Sequence, residues 1–426
     1  MIEELLLQKY GQRDLLLENH NLEKISEQLK SYSKDGLEEM RMKLSIEETL
    51  SSGFTPYVPP SCDDPLYAEV GKESLCKGKI GCVIFAAGKG SRLGFSSPKG
   101  MFPISNVKKK SLFQILSEKI LYAGKKYQIT IPVAIMTSSH NGDKIKRFFQ
   151  DHQFFGLDPL QVDFFSQENL PYCDEKGNWF LDGDGKIVEA ATGNGDFWHC
   201  FYESPLFSKY KSLNTEHIFI MSVDNPLVLA FEEKTIGFHC VHKKDITASA
   251  IEKKELHEKM GLYAQKDSKV YILEYFFSQG ASFPYGNAGD YYASFSFIER
   301  MGKKKSSLPL HKVKKTIECM QQGKNQKVIA WKWERFIFDI FPFADVDAIL
   351  LDRNLGFAPL KELEGPDGVA AVQKALLTRD RNLFSSLTKR NLPENKIFEL
   401  SQEFYYPTSS FIEKWKKKPI DCDYLT

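Results

Sequence analysis

Glycines and cationic residues alternate in one short segment of the chain. The segment reads FAAGKGSRLGFSSPKGMFPI from residue 85 to residue 104, and its turn glycines are Gly88, Gly90 and Gly94. Glycine lets a backbone approach a phosphate or a base without a Cβ clash, and the exposed N–H groups of such a turn can hold phosphate oxygens. Arg92 and Lys99 would supply positive charge to a reacting triphosphate. The segment is therefore a candidate phosphate-binding loop.

Two common nucleotide-binding motifs do not fit this loop. The dinucleotide fingerprint requires GxGxxG, whereas the run from Gly88 to Gly94 is one residue too long. A Walker A loop requires GxxxxGK followed by Ser or Thr, and the run GFSSPK from Gly94 to Lys99 lacks that pattern. A glycine-rich turn alone is weak evidence of function, but the combined pattern GxGxRLG…SPKG is far more specific.

A second candidate for chemistry is Asp224, which directly follows the apolar run HIFIMSV. An acid at the end of such a strand lies at the carboxyl edge of a sheet, where α/β proteins bind their ligands. A carboxylate there can hold Mg²⁺ through one oxygen while phosphates and waters complete the coordination shell. Asp224 is therefore a candidate magnesium ligand.

The elements that would position these residues alternate between strand and helix from about residue 79. Apolar runs predict strands at 79–87, 131–137, 161–166 and 217–223. Amphipathic spacing predicts helices at 111–123 and 143–150. This alternation predicts an α/β fold with a mostly parallel, Rossmann-like sheet. After residue 245 the pattern is rich in strands, at 247–252, 261–264, 270–275, 291–298 and 328–341. These strands either extend the sheet or form an antiparallel second lobe.

Composition excludes several classes of protein. Hydrophobic residues make up 42% and charged residues 27%, which is the balance of a globular protein with a sizeable core. A net charge of +1 gives no field that favours nucleic acid or an anionic membrane as the main partner. Lysine runs at 108–110, 303–305 and 416–418 are predicted to be solvated faces.

Targeting and cysteine patterns favour a cytoplasmic protein. No apolar run approaches the ~18 residues of a membrane-spanning helix, and the N-terminus MIEELLLQKYGQRD is unlike a signal peptide. The eight cysteines form no CxxC pair and show no zinc-like spacing. Free, reduced thiols in the cytoplasm are therefore expected.

In these motifs the sequence resembles the eukaryotic-type UDP-N-acetylhexosamine pyrophosphorylases, within the UTP–sugar-1-phosphate uridylyltransferase family. The family signature is approximately LAGGQGTRLG, a short spacer and PKGM, and its counterpart here is 86–94 followed by 98–101. The resemblance continues collinearly over roughly residues 80 to 365. It implies a GT-A-like nucleotidyltransferase sheet, with Ala87, Gly88 and Gly90 at the nucleotide.

Further matches imply further roles. The run FFSQ at 164–167, followed by LP at 170–171, resembles the family's FFQQ…LP, which implies that Gln167 contacts uracil. The run GNG at 193–195 resembles the family's DGNGG, which implies that Gly193 lies against uracil and that Asn194 reaches the sugar. VDN assigns the catalytic magnesium to Asp224. The resemblance implies that sugar hydroxyls and an N-acetyl group are held by Gly261, Glu274 and Asn287. It also implies that Phe336 and Phe338 border the acyl pocket, although their apolar run, RFIFDIF, is typical of a core strand. FAPLK resembles FSPLK, whose lysine grips the sugar phosphate, here Lys361.

The sequence departs from the family pattern at a few positions. Ala87 stands in place of a glycine, Lys89 in place of glutamine, and Ala191-Thr192 in place of Pro-Asp. Asp196 replaces the final glycine of DGNGG, and we expect it to bring an extra negative charge near the site. These departures bear on substrate preference more than on reaction class.

The implied organisation has three parts. Residues 1–75 are interpreted as a helical N-terminal segment with a linker, 76–345 as the nucleotidyltransferase catalytic domain, and 346–426 as a small C-terminal region. Leucines at helical spacing support the first part, and the Pro- and Ser-rich stretch 51–65 supports the linker.

The implied reaction is transfer of a uridylyl group from UTP to an N-acetylhexosamine 1-phosphate, with release of pyrophosphate. Arg92, Lys99 and Lys361 would act on the phosphates, with Mg²⁺ as cofactor. The expected state is a monomer or weak homo-oligomer, without nucleic-acid or membrane partners. Two alternatives stay open: the same chemistry on glucose or galactose 1-phosphate, and a non-catalytic UDP-sugar sensor. A nicotinamide-dependent oxidoreductase with a variant glycine turn fails on the length of the loop and lacks an obvious acidic ribose ligand at the expected strand end.

Overall fold

The computed structural model of the 426-residue chain describes residues 9–12, 22–46, 53–88, 90–255, 258–274, 283–304, 308–321, 323–393 and 396–426. Lys89, the leucines predicted to be helical before residue 22 and part of the predicted linker lie outside these ranges. By packing, the chain divides into two units. Unit one comprises 1–52, 166–203 and 301–340, and unit two comprises 53–165, 204–300 and 341–426.

The helices and strands are as follows. The α-helices are α1 (Leu22–Ser31), α2 (Lys34–Lys43), α3 (Pro65–Cys76), α4 (Leu112–Tyr127), α5 (Gly142–Asp151), α6 (Phe197–Glu203), α7 (Pro205–Ser212), α8 (Glu233–Val241), α9 (Phe295–Lys303), α10 (Arg353–Gly356), α11 (Val369–Thr388) and α12 (Ser409–Lys417). The strands are β1 (Thr55–Pro56), β2 (Ile80–Phe85), β3 (Val133–Thr137), β4 (Val162–Ser166), β5 (Asn169–Pro171), β6 (Glu189–Ala191), β7 (His217–Ser222), β8 (Ile246–Glu252), β9 (Leu262–Lys266), β10 (Lys269–Leu273), β11 (Tyr285–Ser294), β12 (His311–Gln321), β13 (Lys324–Glu334), β14 (Val346–Leu351), β15 (Glu399–Leu400) and β16 (Tyr424–Leu425).

Unit two is built on a ten-stranded sheet. Its central order is β1-β9-β11-β7-β2-β3-β4, with β10 beside β9, β8 beside β11, and β14 beside β8. β2 runs parallel to both β3 and β7, and β14 runs parallel to β8. β2 reads IGCVIF and is buried along its whole length, as parallel strands covered on both faces are. The predicted α/β class with a mostly parallel centre is confirmed.

The strands after residue 245 extend this sheet. β11 pairs antiparallel with β7, β8 and β9, so β8 to β11 continue the sheet of β2 and β7. The predicted strand at 291–298 is wrong in its second half, because α9 begins at Phe295. The Ser294 hydroxyl accepts the Phe297 N–H and so satisfies a donor in the first turn of that helix.

Unit one has its own core and a long hairpin. Its buried side chains include Ile25, Leu29, Leu170, Trp179 and Trp333, so α1 packs with segments distant in the sequence. β12 and β13 pair antiparallel over their whole lengths. The sequence did not predict β12, because many of its side chains are exposed lysines and threonine rather than an apolar run. The two units are defined by which residues pack together. The boundaries at 75 and 345 were predicted from changes in the residue pattern along the sequence, and they stay a prediction.

One lysine of the predicted solvated runs is buried. Lys110 is only 4% exposed, and its ammonium donates to Glu118 and to the Tyr424 hydroxyl, both in unit two. Near it, one oxygen of Glu399 accepts the N–H groups of Val107 and Lys108 at 2.7 and 2.8 Å. The solvated interpretation is therefore wrong for Lys110, because its ammonium is bonded to Glu118 on α4 and to Tyr424, which is 314 positions away in the sequence.

Neither a membrane helix nor a disulfide is present in the described parts of the chain. No helix within those ranges is both long enough and apolar enough to cross a bilayer. All eight cysteines lie in described ranges and are free thiols, as predicted.

A histidine pair, buried His239 beside half-buried His217, makes the stability of unit two depend on pH. His239 Nε2 lies 3.1 Å from His217 Nδ1, and His239 Nδ1 lies 2.9 Å from the Thr247 hydroxyl. Burial lowers the pKa of His217 to about 4, and burial together with His217 lowers the pKa of His239. Both rings are therefore neutral in the fold, whereas in the unfolded chain they take up protons below a pKa of about 6.5.

We expect this pair to weaken the fold in mild acid. Since the folded pKa of His217 is depressed, its stabilising contribution is present above pH 6.5 and is lost as the pH falls toward 4, by about 2–3 kcal/mol. The check is urea unfolding of wild type and His217→Gln at pH 7 and pH 4.5. The variant should lose less stability between the two pH values. His199→Gln, at a histidine 46% exposed, should lose as much as wild type. Equal losses in all three proteins would contradict the prediction.

Candidate active site

The glycine-rich loop lies directly after β2 in unit two. The Gly88 carbonyl accepts the Lys99 N–H at 3.2 Å, which closes the two arms of the loop on each other. Gly90 has φ +69°, and a Cβ there would lie 3.1 Å from the Ser97 carbonyl oxygen, so glycine suits this turn. Ala87 is half-buried and Gly88 is exposed. The loop therefore presents backbone to solvent just beyond the carboxyl end of a central parallel strand.

Lys99 and Asp224 form an ion pair at the same edge of the sheet. β7 ends at Ser222, so Asp224 lies just beyond its carboxyl end. The Lys99 ammonium lies 3.2 Å from Asp224 Oδ2, and the two side chains are 14% and 22% exposed. Burial disfavours the charged carboxylate, but Lys99, the Ser222 side chain and Lys361 together hold the pKa of Asp224 below its usual value. The carboxylate is therefore ionised at neutral pH and reachable by a ligand.

The backbone brings Lys361 to this pair. The Leu360 N–H donates to the Asp224 carbonyl at 2.8 Å. The side chain of Asn225 donates to the Gly356 carbonyl at 2.8 Å and accepts the Ala358 N–H at 3.1 Å. The Lys361 ammonium lies 2.9 Å from Asp367 Oδ2. Lys99, Asp224 and Lys361 thus belong to one cluster in unit two, and the buried Asn225 organises it.

Arg92 stands at the surface of the same loop. It is exposed in a short 3₁₀ turn, Ser91–Leu93, which is anchored by the buried Leu93. Its role in holding phosphate stays a prediction.

The predicted sugar-binding residues of unit two surround a β-bulge. The register between β11 and β8 shifts between Asn287 and Tyr291, and bulges often occur beside active sites. The Asn287 N–H donates to the Gly261 carbonyl at 2.8 Å, and its side-chain amide donates to the Tyr291 hydroxyl at 2.8 Å. Asn287 and Gly261 are therefore brought together. Glu274 directly follows β10 and is half-buried.

The predicted uracil-binding residues lie in unit one. The Gly193 N–H donates to the Gln167 side chain at 3.2 Å, so these two residues are in direct contact. Gly193 has φ +99°, and a Cβ there would lie 2.6 Å from the Arg335 carbonyl oxygen. The same carbonyl accepts the Gly195 N–H at 3.0 Å, and the Arg335 N–H donates to the Thr192 carbonyl. The loop 192–196 is therefore packed directly on the backbone of Arg335.

Asn194 and the two predicted pocket aromatics share this neighbourhood. The Asn194 side chain accepts the Ile337 N–H at 3.0 Å. The rings of Phe336 and Phe338 stack with centroids 5.2 Å apart. Their expected strand to residue 341 is wrong. β13 ends at Glu334, Phe336 lies just before the 3₁₀ segment Ile337–Phe343, and Phe338 lies within that segment. Hydrogen bonds to side chains, such as that from the Phe336 N–H to Asp339, replace the strand ladder there.

Asp196 does not add a free charge to the site. It is 4% exposed, lies 3.4 Å from an Arg335 guanidinium nitrogen and accepts the Thr192 hydroxyl. Another Arg335 nitrogen lies 3.2 Å from Glu39 in α2. Burial raises the pKa of Asp196 to about 7, although Arg335 opposes the shift. The expectation of an extra charge near the substrate is thus corrected, because the carboxyl is turned into the protein.

Sequence reasoning missed Arg335 and Asn225 as organisers of the two loops. Asn225 had a signal, since it directly follows a strand-end acid. Arg335 also had one, as an arginine next to the apolar run FIFDIF. Neither signal distinguishes a buried organiser from a surface residue.

We expect Gly193→Ala to weaken nucleotide binding. A Cβ at φ +99° and 2.6 Å from a backbone oxygen strains the loop by about 1–3 kcal/mol. KM for UTP should rise about tenfold, while kcat changes less than about threefold. Steady-state kinetics of pyrophosphate release would show this. The control is Gly183→Ala, in the same unit, where a Cβ has no atom within 4 Å. An unchanged KM in Gly193→Ala would contradict the prediction.

An α/β sheet with a glycine-rich loop and an ionised acid at the carboxyl ends of adjacent parallel strands defines a nucleotide-binding protein of the α/β class. The chain belongs to the UTP–glucose-1-phosphate uridylyltransferase family, whose family model matches residues 64–426. The resemblance found in the sequence motifs is therefore confirmed at the level of the family, which consists of nucleotidyltransferases.

Two individual relatives and one solved structure are also similar to this chain. The chain is 31% identical to the UDP-N-acetylglucosamine pyrophosphorylase of Saccharomyces cerevisiae over 323 residues, 70% of this chain and 68% of that protein. It is 27% identical to UDP-N-acetylglucosamine diphosphorylase 2 of Arabidopsis thaliana, covering 84% of this chain and 79% of that one. The fold is similar to the inhibitor-bound uridine diphosphate N-acetylglucosamine pyrophosphorylase of Trypanosoma brucei, with a TM-score of 0.73, 22% identity, and coverage of 84% and 81%.

Proposed function

We propose that this protein is a uridylyltransferase that forms UDP-N-acetylglucosamine or UDP-N-acetylgalactosamine, with pyrophosphate, from UTP and the N-acetylhexosamine 1-phosphate. The observation that carries the proposal is the cluster in unit two. Lys99 lies 3.2 Å from Asp224, and the segment that carries Lys361 is bonded to the Asp224 backbone. A lysine paired with an ionised acid, and a second lysine near enough to lower the pKa of that acid, suit a reaction that joins two polyanions.

The proposed reaction is one in-line displacement at phosphorus. A phosphate oxygen of the sugar 1-phosphate forms a bond to the α-phosphorus of UTP, and the bond from that phosphorus to the α–β bridging oxygen breaks. Pyrophosphate leaves with the bonding electron pair. The attacking oxygen is already anionic near pH 7, so no side-chain nucleophile is needed. The chain's task is positioning and charge neutralisation. Lys99 and Arg92 would neutralise the α-phosphate and the leaving group, and Lys361 would orient the attacking phosphate.

The donor set fits a magnesium ion bound together with substrate. Asp224 offers one ionised, partly exposed carboxylate, and Mg²⁺ is usually held by one or two carboxylates plus substrate phosphates. Among the described residues, no group of three or more His, Cys, Asp and Glu side chains could hold a metal on its own. Asp224 would be the protein ligand, and the ion would supply charge to the phosphate oxygens when bound.

The choice of an N-acetylated sugar rests on two supports. The relatives in Saccharomyces and Arabidopsis carry UDP-N-acetylglucosamine in their names. In unit two, Asn287 lies at a bulge beside Gly261. In unit one, the stacked Phe336 and Phe338 supply apolar surface of the kind that an acetyl group contacts. Glucose 1-phosphate is the alternative substrate.

The proposal extends to location and assembly. Eight free thiols support a cytoplasmic protein. We propose a monomer or weak homo-oligomer, which analytical ultracentrifugation would test.

Pyrophosphate release by the purified protein tests the proposed reaction. UTP and Mg²⁺ are supplied with N-acetylglucosamine, N-acetylgalactosamine or glucose 1-phosphate in parallel. Faster turnover with the N-acetylated sugars supports the proposal. Preference for glucose 1-phosphate would retain the chemistry and reject the acetyl pocket. Tight UTP binding with no turnover on any sugar would reject the enzyme and favour a UDP-sugar sensor.

A further inference from the structure

The segment that follows Asp224 is held by two buried cations from distant parts of unit two. The Arg379 guanidinium, on α11, donates to the Leu227 carbonyl at 2.7 Å. The Lys119 ammonium, on α4, donates to the Val228 carbonyl at 2.9 Å. These carbonyls lie outside any helix or strand, so the two side chains supply hydrogen bonds that secondary structure does not.

Two tyrosines complete this arrangement. The Tyr406 hydroxyl donates to the Ala230 carbonyl at 2.8 Å. The ring of Tyr405 lies beside both cations, with its centroid 4.3 Å from Arg379 Cζ and 5.2 Å from Lys119 Nζ. The segment from residue 227 to residue 230 is therefore bonded at three carbonyls, by side chains from α4, from α11 and from Tyr406 in the segment between α11 and α12.

Burying these cations is costly to the fold. Lys119 is 1% exposed and Arg379 is 5% exposed, and the nearby acid Asp380 accepts the Tyr405 hydroxyl and the Leu400 N–H. Burial, aided by Arg379, lowers the pKa of Lys119 well below its ordinary value. Apolar side chains of similar volume often replace buried ionic groups without loss of stability. Packing alone therefore does not explain two buried cations at adjacent carbonyls.

The same segment is continuous with the proposed metal ligand. The Asn225 side chain accepts the Leu227 N–H at 3.2 Å, and the Asn225 carbonyl accepts the Val228 N–H at 3.3 Å. In the turn from Asp224 to Val228, the N–H groups of Leu227 and Val228 thus donate to Asn225, and the carbonyls of the same two residues accept from Arg379 and Lys119. A shift of either carbonyl would move the turn that begins at Asp224.

We propose that Lys119 and Arg379 are positioning residues for uridylyl transfer, which hold the turn 224–228 so that Asp224 meets the substrate phosphates in a productive geometry. Through Arg379, the C-terminal region becomes part of the catalytic machinery. The predicted effect on turnover rests on the proposed function. The effect on the order of the turn does not, because it can be measured without any substrate.

The test uses Lys119→Met and Arg379→Met in the full-length protein. In the absence of substrate, hydrogen exchange of the Leu227 and Val228 amides should become at least about tenfold faster, because the turn opens more often. In turnover, kcat should fall about 10- to 100-fold, since a small misplacement of a catalytic group costs that much. KM for UTP should stay within about threefold, and the Mg²⁺ concentration for half-maximal rate should rise. Arg379→Lys should recover part of the rate.

The matched control is Lys110→Met, at a lysine that is 4% exposed in the same unit and bonds Glu118 and Tyr424 instead. It should lower the melting temperature about as much, but leave kcat and exchange at 227–228 unchanged. If Lys119→Met and Arg379→Met behave like this control, the positioning role is overturned. If the wild-type protein has no turnover, the proposed function fails. Separately, unchanged amide exchange at Leu227 and Val228 in the two variants would show that Lys119 and Arg379 do not hold the turn in place.

Discussion

The Asp224→Asn variant is expected to release pyrophosphate about a thousandfold more slowly than the wild-type protein. Asparagine keeps the shape of the side chain but removes the negative charge that pairs with Lys99 at 3.2 Å. A neutral amide would hold Mg²⁺ and the phosphates far less well, and Lys99 would lose the partner that orients it. Because these interactions are needed most in the transition state, the loss should fall mainly on kcat.

A matched ion pair in the same unit separates this effect from instability. Asp163 is 20% exposed and lies 2.7 Å from Lys209, so it resembles Asp224 in burial and in its lysine partner. Asp163→Asn should retain nearly wild-type turnover. Initial rates across a range of Mg²⁺ concentrations, with melting curves for each variant, make the comparison. Asp224→Asn turnover within tenfold of wild type would remove Asp224 from the catalytic role.

The Lys99→Met variant is expected to have a kcat about a hundredfold lower than the wild-type protein and a shifted pH–rate profile. Burial disfavours ionisation of Asp224, and Lys99 is the strongest influence that lowers its pKa. Without the ammonium, the pKa of Asp224 rises. The charged carboxylate would then be lost at a higher pH, so the acid limb of the pH–rate profile should move toward neutrality.

Three further variants test this interpretation. Lys99→Arg should restore part of the rate and the original acid limb. Lys209→Met removes the lysine of the control pair and should change neither. The double variant Lys99→Met with Asp224→Asn should be far less impaired than the product of the single losses, because the two groups act together. If the rate losses of the two single variants instead multiply in the double variant, and the acid limb of Lys99→Met does not move, Lys99 and Asp224 do not act as a pair.

Local patterns were sufficient to predict the centre of the sheet and the position of Asp224. The runs KIGCVIFAA and HIFIMSV are continuous apolar strands, and β2 and β7 are buried parallel neighbours. Neighbouring parallel strands end at the same edge, so the glycine-rich loop and Asp224 had to be close together. Lys361 could be assigned only through the family resemblance, because its approach to Asp224 depends on a backbone hydrogen bond from Leu360.

The errors arose where side-chain partners, several of them distant in the sequence, decide local structure. The apolar run through Phe336 and Phe338 suits a strand, yet bonds to Asp339 and Asn194 turn the backbone. Lys110 belongs to a lysine run that is typical of a solvated face, yet Glu118 and Tyr424 bury it. Asp196 was expected to bring an extra negative charge near the site, yet Arg335 pairs with it in the interior. Asn194, Tyr424 and Arg335 lie more than 100 positions from the residues that they contact, so a short window of sequence does not contain them.

The bond between Glu399 and the loop at Val107 and Lys108 has a consequence for biosynthesis. A single carboxylate oxygen joins groups separated by 292 and 291 positions in the chain. During translation, that loop emerges long before its acceptor, and such long-range contacts close slowly. The strands of the sheet can pair earlier, but the loop after the PKGM sequence gains these two bonds only when residue 399 has left the ribosome. We therefore expect this loop to reach its full set of native bonds only late in synthesis, after most of the chain has emerged.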